Sequence, residues 1–179
     1  MNTSYRIITF DFRGHGYNYM SEGEDLSQET LISDTIKVFQ YVDNLFPEES
    51  IIVVGHSMGG SIATKSVAEI FKNKEKYQSL YDKIQGLIVI DVVEGTAMEA
   101  LPYMENIVKT RKRKFKTIEE GIEYMVKSGT IKNLESARIS VPPLLKEQKT
   151  KDGNVSYVWK TNLLSSQKYW SRIYKIYIN

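Results

Sequence analysis

The chain has 179 residues, of which 41% are hydrophobic and 26% are charged, proportions typical of a globular protein with a packed core. It contains no cysteine, which excludes disulfide bonds and thiolate metal sites, and its formal net charge of +2 is too small to indicate nucleic-acid binding. No stretch approaches the roughly 18 consecutive apolar residues of a membrane-spanning helix, and the first residues lack a signal-peptide core. We therefore expect a soluble cytoplasmic protein without a membrane partner.

An apolar run lies close to the first residue. Ile7–Phe10 predicts a buried strand that ends at Asp11, and Phe12–Gly16 is typical of a turn. A polar loop then leads to Ser27, which we expect to cap a helix, because the apolar residues after it recur every three or four positions. Pro47 should end that helix.

The next segment, Gly55-His56-Ser57-Met58-Gly59-Gly60, has the pattern G-x-S-x-G. It follows an apolar run at Ile51–Val54 and precedes a stretch with helical spacing that extends to about Asn73. A serine between a strand and a helix is typical of a nucleophile elbow, in which glycines prevent collisions between closely approaching backbones. The positive end of the helix would face an oxyanion that forms beside Ser57. The pattern predicts a catalytic serine; the alternative is a glycine-rich connection.

A third apolar run, Gly86–Ile90, ends at Asp91. Three strands that alternate with helical segments indicate the α/β class, a parallel sheet covered by helices. Ser57 and Asp91 both follow the carboxyl ends of their strands, the edge where such sheets place their sites. From the residues alone, Asp91 is either catalytic or a carboxylate that accepts hydrogen bonds from nearby backbone.

From about Glu94 the pattern is mostly helical. We expect one amphipathic helix across 98–108, a second that Thr117 opens through a capping box and that ends before Gly129, and a short third that Asn133 caps. The chain then breaks at Pro142-Pro143, has a polar turn at 149–153 and a short strand at 157–159, and ends in an aromatic tail at 168–179.

Two groups of residues in this half allow two interpretations each. The basic run Lys109–Lys114 is interpreted as a solvated helix end and loop, with a nuclear localisation signal or a contact with an acidic partner as the alternatives. The aromatic residues are expected in the core rather than in a ligand platform: Tyr157, Trp159, Tyr169 and Trp170.

Two runs are more specific than the elbow, IDVVEGTAM at 90–98 and NLESAR at 133–138. Together with the elbow and with residues 11–16, 127–129, 157–160 and 168–170, they resemble the protein phosphatase methylesterases. These are α/β-hydrolases that remove the carboxyl methyl ester from the C-terminal leucine of the protein phosphatase 2A catalytic subunit. The resemblance covers essentially the whole chain.

The resemblance implies an α/β-hydrolase fold and a serine carboxylesterase with a Ser-His-Asp mechanism. Ser57 would be the nucleophile, Asp91 the acid that orients the histidine, and the backbone N–H of Met58 an oxyanion donor. The implied partner is the methylated C-terminal tail of the protein phosphatase 2A catalytic subunit. No cofactor, metal or nucleic acid is implied.

The resemblance also implies that this chain is a fragment. The family places its catalytic histidine late in the chain, after the last strands, and a glycine-rich loop with a second oxyanion donor before the first strand seen here. Of the two histidines present, His15 should line the site, and His56 should point away from Ser57 into packing. Because loss of the histidine alone costs about 10⁶ in kcat, we expect the chain by itself to have no useful turnover.

We therefore expect a single partial domain over 1–179: a core at 1–95 with the elbow at 55–60, a helical cap-like segment at about 96–148, and a return to the core at about 155–179. Its parallel sheet would be incomplete, with flanking helices and a mostly helical insertion after the third strand. Two other functions stay open. One is a non-catalytic phosphatase-binding protein, and the other is a general serine esterase that acts on small acyl esters.

Overall fold

A computed structural model of the protein describes residues 5–18, 25–91, 94–149 and 153–175. Along them the elements are α1 (Gln28–Leu45), β1 (Ile51–His56), α2 (Met58–Lys72), α3 (Gln78–Lys83), β2 (Ile84–Ile90), α4 (Glu94–Thr110), β3 (Lys114–Phe115), α5 (Ile118–Lys127), α6 (Leu134–Ser140), a 3₁₀ turn (Pro142–Leu144), β4 (Leu145–Lys149), β5 (Val155–Trp159) and α7 (Leu163–Tyr174). Parts of the predicted polar loop before Ser27, of the run at 90–98, of the turn at 149–153 and of the tail lie outside the described residues. No helix in these ranges is long and apolar enough to cross a membrane.

The chain divides into two compact units. The first, called here the elbow unit, comprises Asp25–Arg111 and Leu163–Asn179. The second, called here the antiparallel unit, comprises Met1–Glu24 and Lys112–Asn162. The predicted division of one domain into a core, a cap-like segment and a return stays a prediction.

The elbow unit is built on two parallel strands. β1 pairs with β2 from Ile51↔Ile84 to His56↔Ile90, with one irregularity in the register after Ile51. α2 packs against both strands, and α1 packs against α2. The buried residues of this core are Ile36, Val53, Ala63, Ile70, Leu80 and Ile84. Parallel strands joined through helices confirm the predicted α/β class.

The two faces of the β1–β2 sheet differ in exposure. Successive residues of a strand point to opposite faces, and Val53 of β1 is buried whereas its neighbours Ile52 and Val54 are exposed. Across the sheet, Ile88 pairs with Val54 and is exposed as well. The described helices of this unit therefore cover only one face, and the other face presents apolar side chains.

α1 begins and ends where the sequence predicts. Ser27 is its N-cap, with the Oγ accepting a hydrogen bond from Thr30 N at 3.4 Å. The Asp25 carboxylate accepts from Ser27 N at 2.9 Å and from the Thr30 hydroxyl, so it supports the same cap. The helix ends at Leu45, before Pro47.

The last helix, α7, is held by buried polar groups of α2. Lys65 Nζ donates to the carbonyl oxygens of Arg172 at 3.0 Å and Ile173 at 2.6 Å, and the Ser61 hydroxyl donates to the second of these. A cation suits this place, because the last carbonyls of a helix lack partners within the helix and carry partial negative charge. Trp170 is buried, which confirms its predicted place in the core.

The antiparallel unit contains a three-stranded sheet in the order β3-β5-β4. Both predicted helix caps are confirmed beside it: Thr117 Oγ1 accepts from Glu120 N at 3.2 Å, and Asn133 Oδ1 accepts from Ser136 N at 2.9 Å. The core of this unit contains Phe115, Ala137, Val141 and Leu145, with Tyr157 and Trp159 packed against it. Those two aromatic residues therefore also lie in the core, as predicted.

The basic run Lys109–Lys114 lies at the end of α4 and the start of β3. Its side chains are partly paired: Lys109 forms an ion pair with Glu105, and Lys112 Nζ lies 2.5 Å from Glu120 Oε1. The predicted helix end is confirmed. A nuclear localisation signal in this run stays a prediction.

The strand predicted at Ile7–Phe10 is wrong. Residues 5–12 have no regular secondary structure, and Ile7 is 86% exposed. A strand is stable only beside a neighbour that pairs with its backbone, and neither sheet of the described residues includes this run. The turn after it is confirmed: Gly14 and Gly16 have φ values of 73° and 54°, and the Asp11 carboxylate accepts from Tyr17 N at 3.0 Å.

Four further elements were not predicted. α3 lies in the segment interpreted as a surface connection and buries Leu80. β3 has only two residues, β4 is rich in lysine, and α7 lies in the aromatic tail. The two short strands have no clear apolar period, and tertiary contacts decide their structure.

Candidate functional site

Ser57 is the single residue between β1 and α2. Its φ of 50° and ψ of −123° are rare for a residue with a side chain, and such conformations persist only where the surroundings hold them, at a cost of about 1–3 kcal/mol. Ser57 N donates to Ile90 O at 2.9 Å, and Ser57 O accepts from Ser61 N at 3.1 Å. The backbone is thus fixed by β2 on one side and by α2 on the other. The Ser57 side chain makes no capping hydrogen bond to α2.

Gly55 permits this sharp turn. A Cβ atom added to it would lie 2.6 Å from Gly59 O and 2.6 Å from Gly60 Cα, both backbone atoms of the first turn of α2. Real Cβ contacts do not come this close, and backbone cannot move aside as a flexible side chain can. The strand end and the helix start therefore approach each other only because residue 55 is glycine, as the motif predicted.

Met58 is the first residue of α2. The first N–H groups of a helix have no acceptor within it, and the aligned peptide dipoles place partial positive charge at this end. The Met58 N–H therefore belongs to the end of α2 that directly follows Ser57. An oxyanion beside Ser57 would find a donor and a favourable field here.

Asp91 directly follows β2 and also has a left-handed backbone, with φ of 53°. His56 is paired with Ile90 in the sheet, so Ser57 and Asp91 each stand one residue beyond the same pair. The structure therefore places both predicted residues at the carboxyl edge of the β1–β2 sheet. The Asp91 side chain is 80% exposed.

His56 does not point into packing, so that prediction is wrong. Its side chain is 67% exposed, and its Nε2 lies 3.7 Å from Asp91 Oδ2. The physical reason is strand alternation: His56 shares a face with Ile52 and Val54, the face that the described helices of this unit leave open.

His15 lies in the antiparallel unit, in the turn after Asp11. Its Nδ1 is 3.0 Å from the carbonyl oxygen of Arg13. That it lines the site stays a prediction. Among the described residues, no group of three or more histidine, aspartate or glutamate side chains could hold a metal ion.

Sequence reasoning missed the contact between His56 and Asp91. The signal for it was present: both residues end or follow parallel strands that the sequence predicted correctly. The contact depends on the register between those strands, which pairs His56 with Ile90. That register is not encoded in either strand alone.

The sequence profile of the Hydrolase_4 family, described as serine aminopeptidase, S33, matches residues 1–151. The chain belongs to this family. By family it is a hydrolase, and the elbow described above has the G-x-S-x-G pattern typical of α/β-hydrolases.

Curated relatives carry a more specific name. "Protein phosphatase methylesterase 1" of Schizosaccharomyces pombe is 38% identical over 170 residues, which are 94% of this chain and 46% of the relative. The protein of the same name from Mus musculus is 42% identical over 142 residues, 79% of this chain and 34% of the relative. The resemblance to protein phosphatase methylesterases is thus confirmed. The chain spans less than half the length of these relatives.

Solved structures confirm the fold. A "Marine microorganism esterase" superposes with a TM-score of 0.59 at 24% identity, over 94% of this chain and 59% of the other. The "E-2-(Acetamidomethylene)succinate Hydrolase" gives a TM-score of 0.61 at 19% identity, over 93% of this chain and 53% of the other. The predicted α/β-hydrolase fold is confirmed.

Proposed function

We propose that this chain carries the nucleophile of a carboxylesterase that removes the methyl ester from the C-terminal leucine of the protein phosphatase 2A catalytic subunit. The observation that carries the proposal is the strained conformation of Ser57 at the strand edge it shares with Asp91. The methylesterase names of the relatives support the choice of ester and of partner.

The proposed chemistry follows from the elbow. Ser57 Oγ attacks the ester carbonyl carbon while a histidine takes its proton, and the Met58 N–H donates to the oxyanion that forms. Collapse of this intermediate expels methanol, which receives the proton from the histidine. Water then hydrolyses the acyl-enzyme and restores the serine. Asp91 would orient the histidine and stabilise its positive charge.

We also propose that the chain by itself has no useful turnover. Its histidines are His15 and His56. His15 Nδ1 lies 3.0 Å from the Arg13 carbonyl oxygen, and His56 Nε2 lies 3.7 Å from Asp91 Oδ2. The whole protein would supply the base. Without it, the loss in kcat is about 10⁶.

The partner follows from the same reasoning. A methylated C-terminal leucine is a carboxylic ester, and the proposed serine mechanism needs no cofactor to cleave it. We propose that the reaction takes place in the cytoplasm, and in the nucleus if the basic run Lys109–Lys114 acts as an import signal.

The decisive experiment exchanges segments with a relative. A chimera in which this chain replaces the matching segment of the Schizosaccharomyces pombe relative is incubated with phosphatase whose C-terminal methyl group is radioactive. We expect release of labelled methanol by the chimera, none by its Ser57→Ala variant, and none by this chain alone. A chimera that is folded but releases no methanol, beside an active relative, would refute the proposal.

The chimera and its Ser57→Ala variant also distinguish the two alternative functions from the proposed one. A non-catalytic phosphatase-binding protein would retain the phosphatase in a pull-down equally well with and without Ser57→Ala, and would release no methanol. A general esterase would cleave nitrophenyl esters and leave the methylated phosphatase unchanged.

A further inference from the structure

Asp91 has two features that would make its carboxylate hard to orient. Its side chain is 80% exposed, and it stands directly after the last residue of β2, where pairing with β1 has ended. An exposed aspartate rotates among several rotamers unless a contact selects one of them. A carboxylate that must orient a histidine cannot do so while it rotates freely.

His56 supplies such a contact. Its Nε2 lies 3.7 Å from Asp91 Oδ2, a distance of an ion pair rather than of a tight hydrogen bond. The position of His56 is well determined, because it is the last residue of β1 and is paired with Ile90. Paired residues carry their side chains on the same face of a sheet, so the His56 imidazole lies beside Ile90, the residue that directly precedes Asp91.

The Asp91 carboxylate can accept hydrogen bonds from a second histidine besides His56. A carboxylate has two oxygens with about four acceptor positions. His56 faces Oδ2, and Oδ1 is then available to another imidazole. One histidine can therefore hold the carboxylate while a different one receives its hydrogen bond during the reaction.

We propose that His56 is a positioning residue, which selects the orientation of the Asp91 carboxylate through Oδ2 and leaves Oδ1 for the histidine that acts as base. This inference rests on the role of Asp91 under the proposed function. His56 touches neither the ester nor the proton that is transferred. It acts through Asp91, and the nucleophile elbow thereby contributes a second side chain to the site besides Ser57.

The effect is modest, because both groups are exposed. Exposed ion pairs change an equilibrium by a factor of about 2 to 5, and salt screens them. We therefore expect a shift in rotamer populations, not an all-or-none change.

The test measures the χ1 rotamers of Asp91 by NMR in the full chain, from the couplings between its Hα and Hβ protons. We expect the couplings of the unchanged chain to favour one rotamer by a population factor of about 2 to 5, and those of His56→Ala to lie closer to the average over all rotamers. His56→Gln places an amide nitrogen near the position of Nε2 and should retain most of the preference. His15→Ala is the matched control and should leave Asp91 unchanged.

Salt gives a readout that a purely structural role would not move. In 1 M NaCl the Debye length falls to about 3 Å, so the preference should weaken in the unchanged chain and much less in the neutral His56→Gln variant. Identical Asp91 couplings in the unchanged chain and in His56→Ala, with the fold intact by the spectrum of the remaining amides, would overturn the inference. None of these spectra depends on ester hydrolysis, so a chimera that releases no methanol would refute the proposed function without altering this result.

Discussion

At the scale of single residues, the elbow is the part of the molecule that local sequence determines best. Gly55 is required by backbone atoms of Gly59 and Gly60, four and five residues away, and Ser57 takes its positive-φ conformation between β1 and α2. A motif can encode the close approach to α2 because those contacts are local, whereas the hydrogen bond from Ser57 N to Ile90 O depends on β2. The contact between His56 and Asp91 joins two strands and could not be predicted in this way.

Replacement of Gly55 by alanine tests this local steric requirement. The added Cβ would lie 2.6 Å from backbone of α2, so we expect a loss of about 1–3 kcal/mol or more in the free energy of unfolding. Gly86→Ala in β2 is the matched control, because the nearest atom to its Cβ is a side-chain carbon at 3.8 Å. Urea denaturation of both variants measures the difference, and equal stabilities would contradict the steric explanation.

At the scale of elements, an apolar run forms a strand only where another strand pairs with its backbone. Ile51–Val54 and Ile7–Phe10 are similar in apolar character, yet only the first forms a strand, because β2 pairs with it. The caps at Ser27, Thr117 and Asn133 could be predicted because each rests on a hydrogen bond within three residues. The helix α7 could not be predicted in this way, because the hydrogen bonds that hold it come from α2, about a hundred residues away in the chain.

The docking of α7 depends on Lys65. Its Nζ also donates to Gln28 Oε1 at 2.7 Å, so it serves acceptors of α1 and α7 together. Lys65→Met would leave buried carbonyls without this donor, and we expect a loss of about 1–3 kcal/mol in the free energy of unfolding. Lys72→Met, at an exposed position of the same helix, should change it by less than about 0.5 kcal/mol. A Lys65→Met variant as stable as the unchanged chain would show that burial of the ammonium costs as much as its hydrogen bonds contribute.

The cap of α1 should make stability depend on pH in the acid range. Hydrogen bonds from the Thr30 hydroxyl, and then from Ser27, lower the pKa of Asp25 from 3.8 to about 2. Because the folded pKa is the lower one, the carboxylate stabilises the folded state above about pH 4, and this contribution is lost as the pH falls towards 2. We expect Asp25→Asn to be less stable than the unchanged chain at pH 5 and equally stable near pH 2, by denaturant titration at each pH. A difference that stays constant with pH would contradict this origin.

At the scale of the whole molecule, the sequence predicted the fold but not which surfaces of it are exposed. The α/β class followed from strands that alternate with helices, the α/β-hydrolase fold was implied by the family resemblance, and the family match and solved structures confirm it. The exposed apolar face of the β1–β2 sheet, which carries Ile52, Val54 and Ile88, could not be foreseen from strand patterns, because burial depends on which elements surround a sheet. Since the chain spans less than half of its curated relatives, the catalytic cycle is a property proposed for the whole protein.

The central claim is that Ser57 is the nucleophile, and covalent capture tests it most directly. The chimera with the Schizosaccharomyces pombe relative is treated with a fluorophosphonate, which reacts with the activated serine of serine hydrolases, and the modified peptide is identified by mass spectrometry. We expect one phosphonate, on Ser57, with no labelling of the Ser57→Ala variant and full labelling of a Ser61→Ala control that is folded. A label on any other residue, or labelling that persists in Ser57→Ala, would contradict the claim.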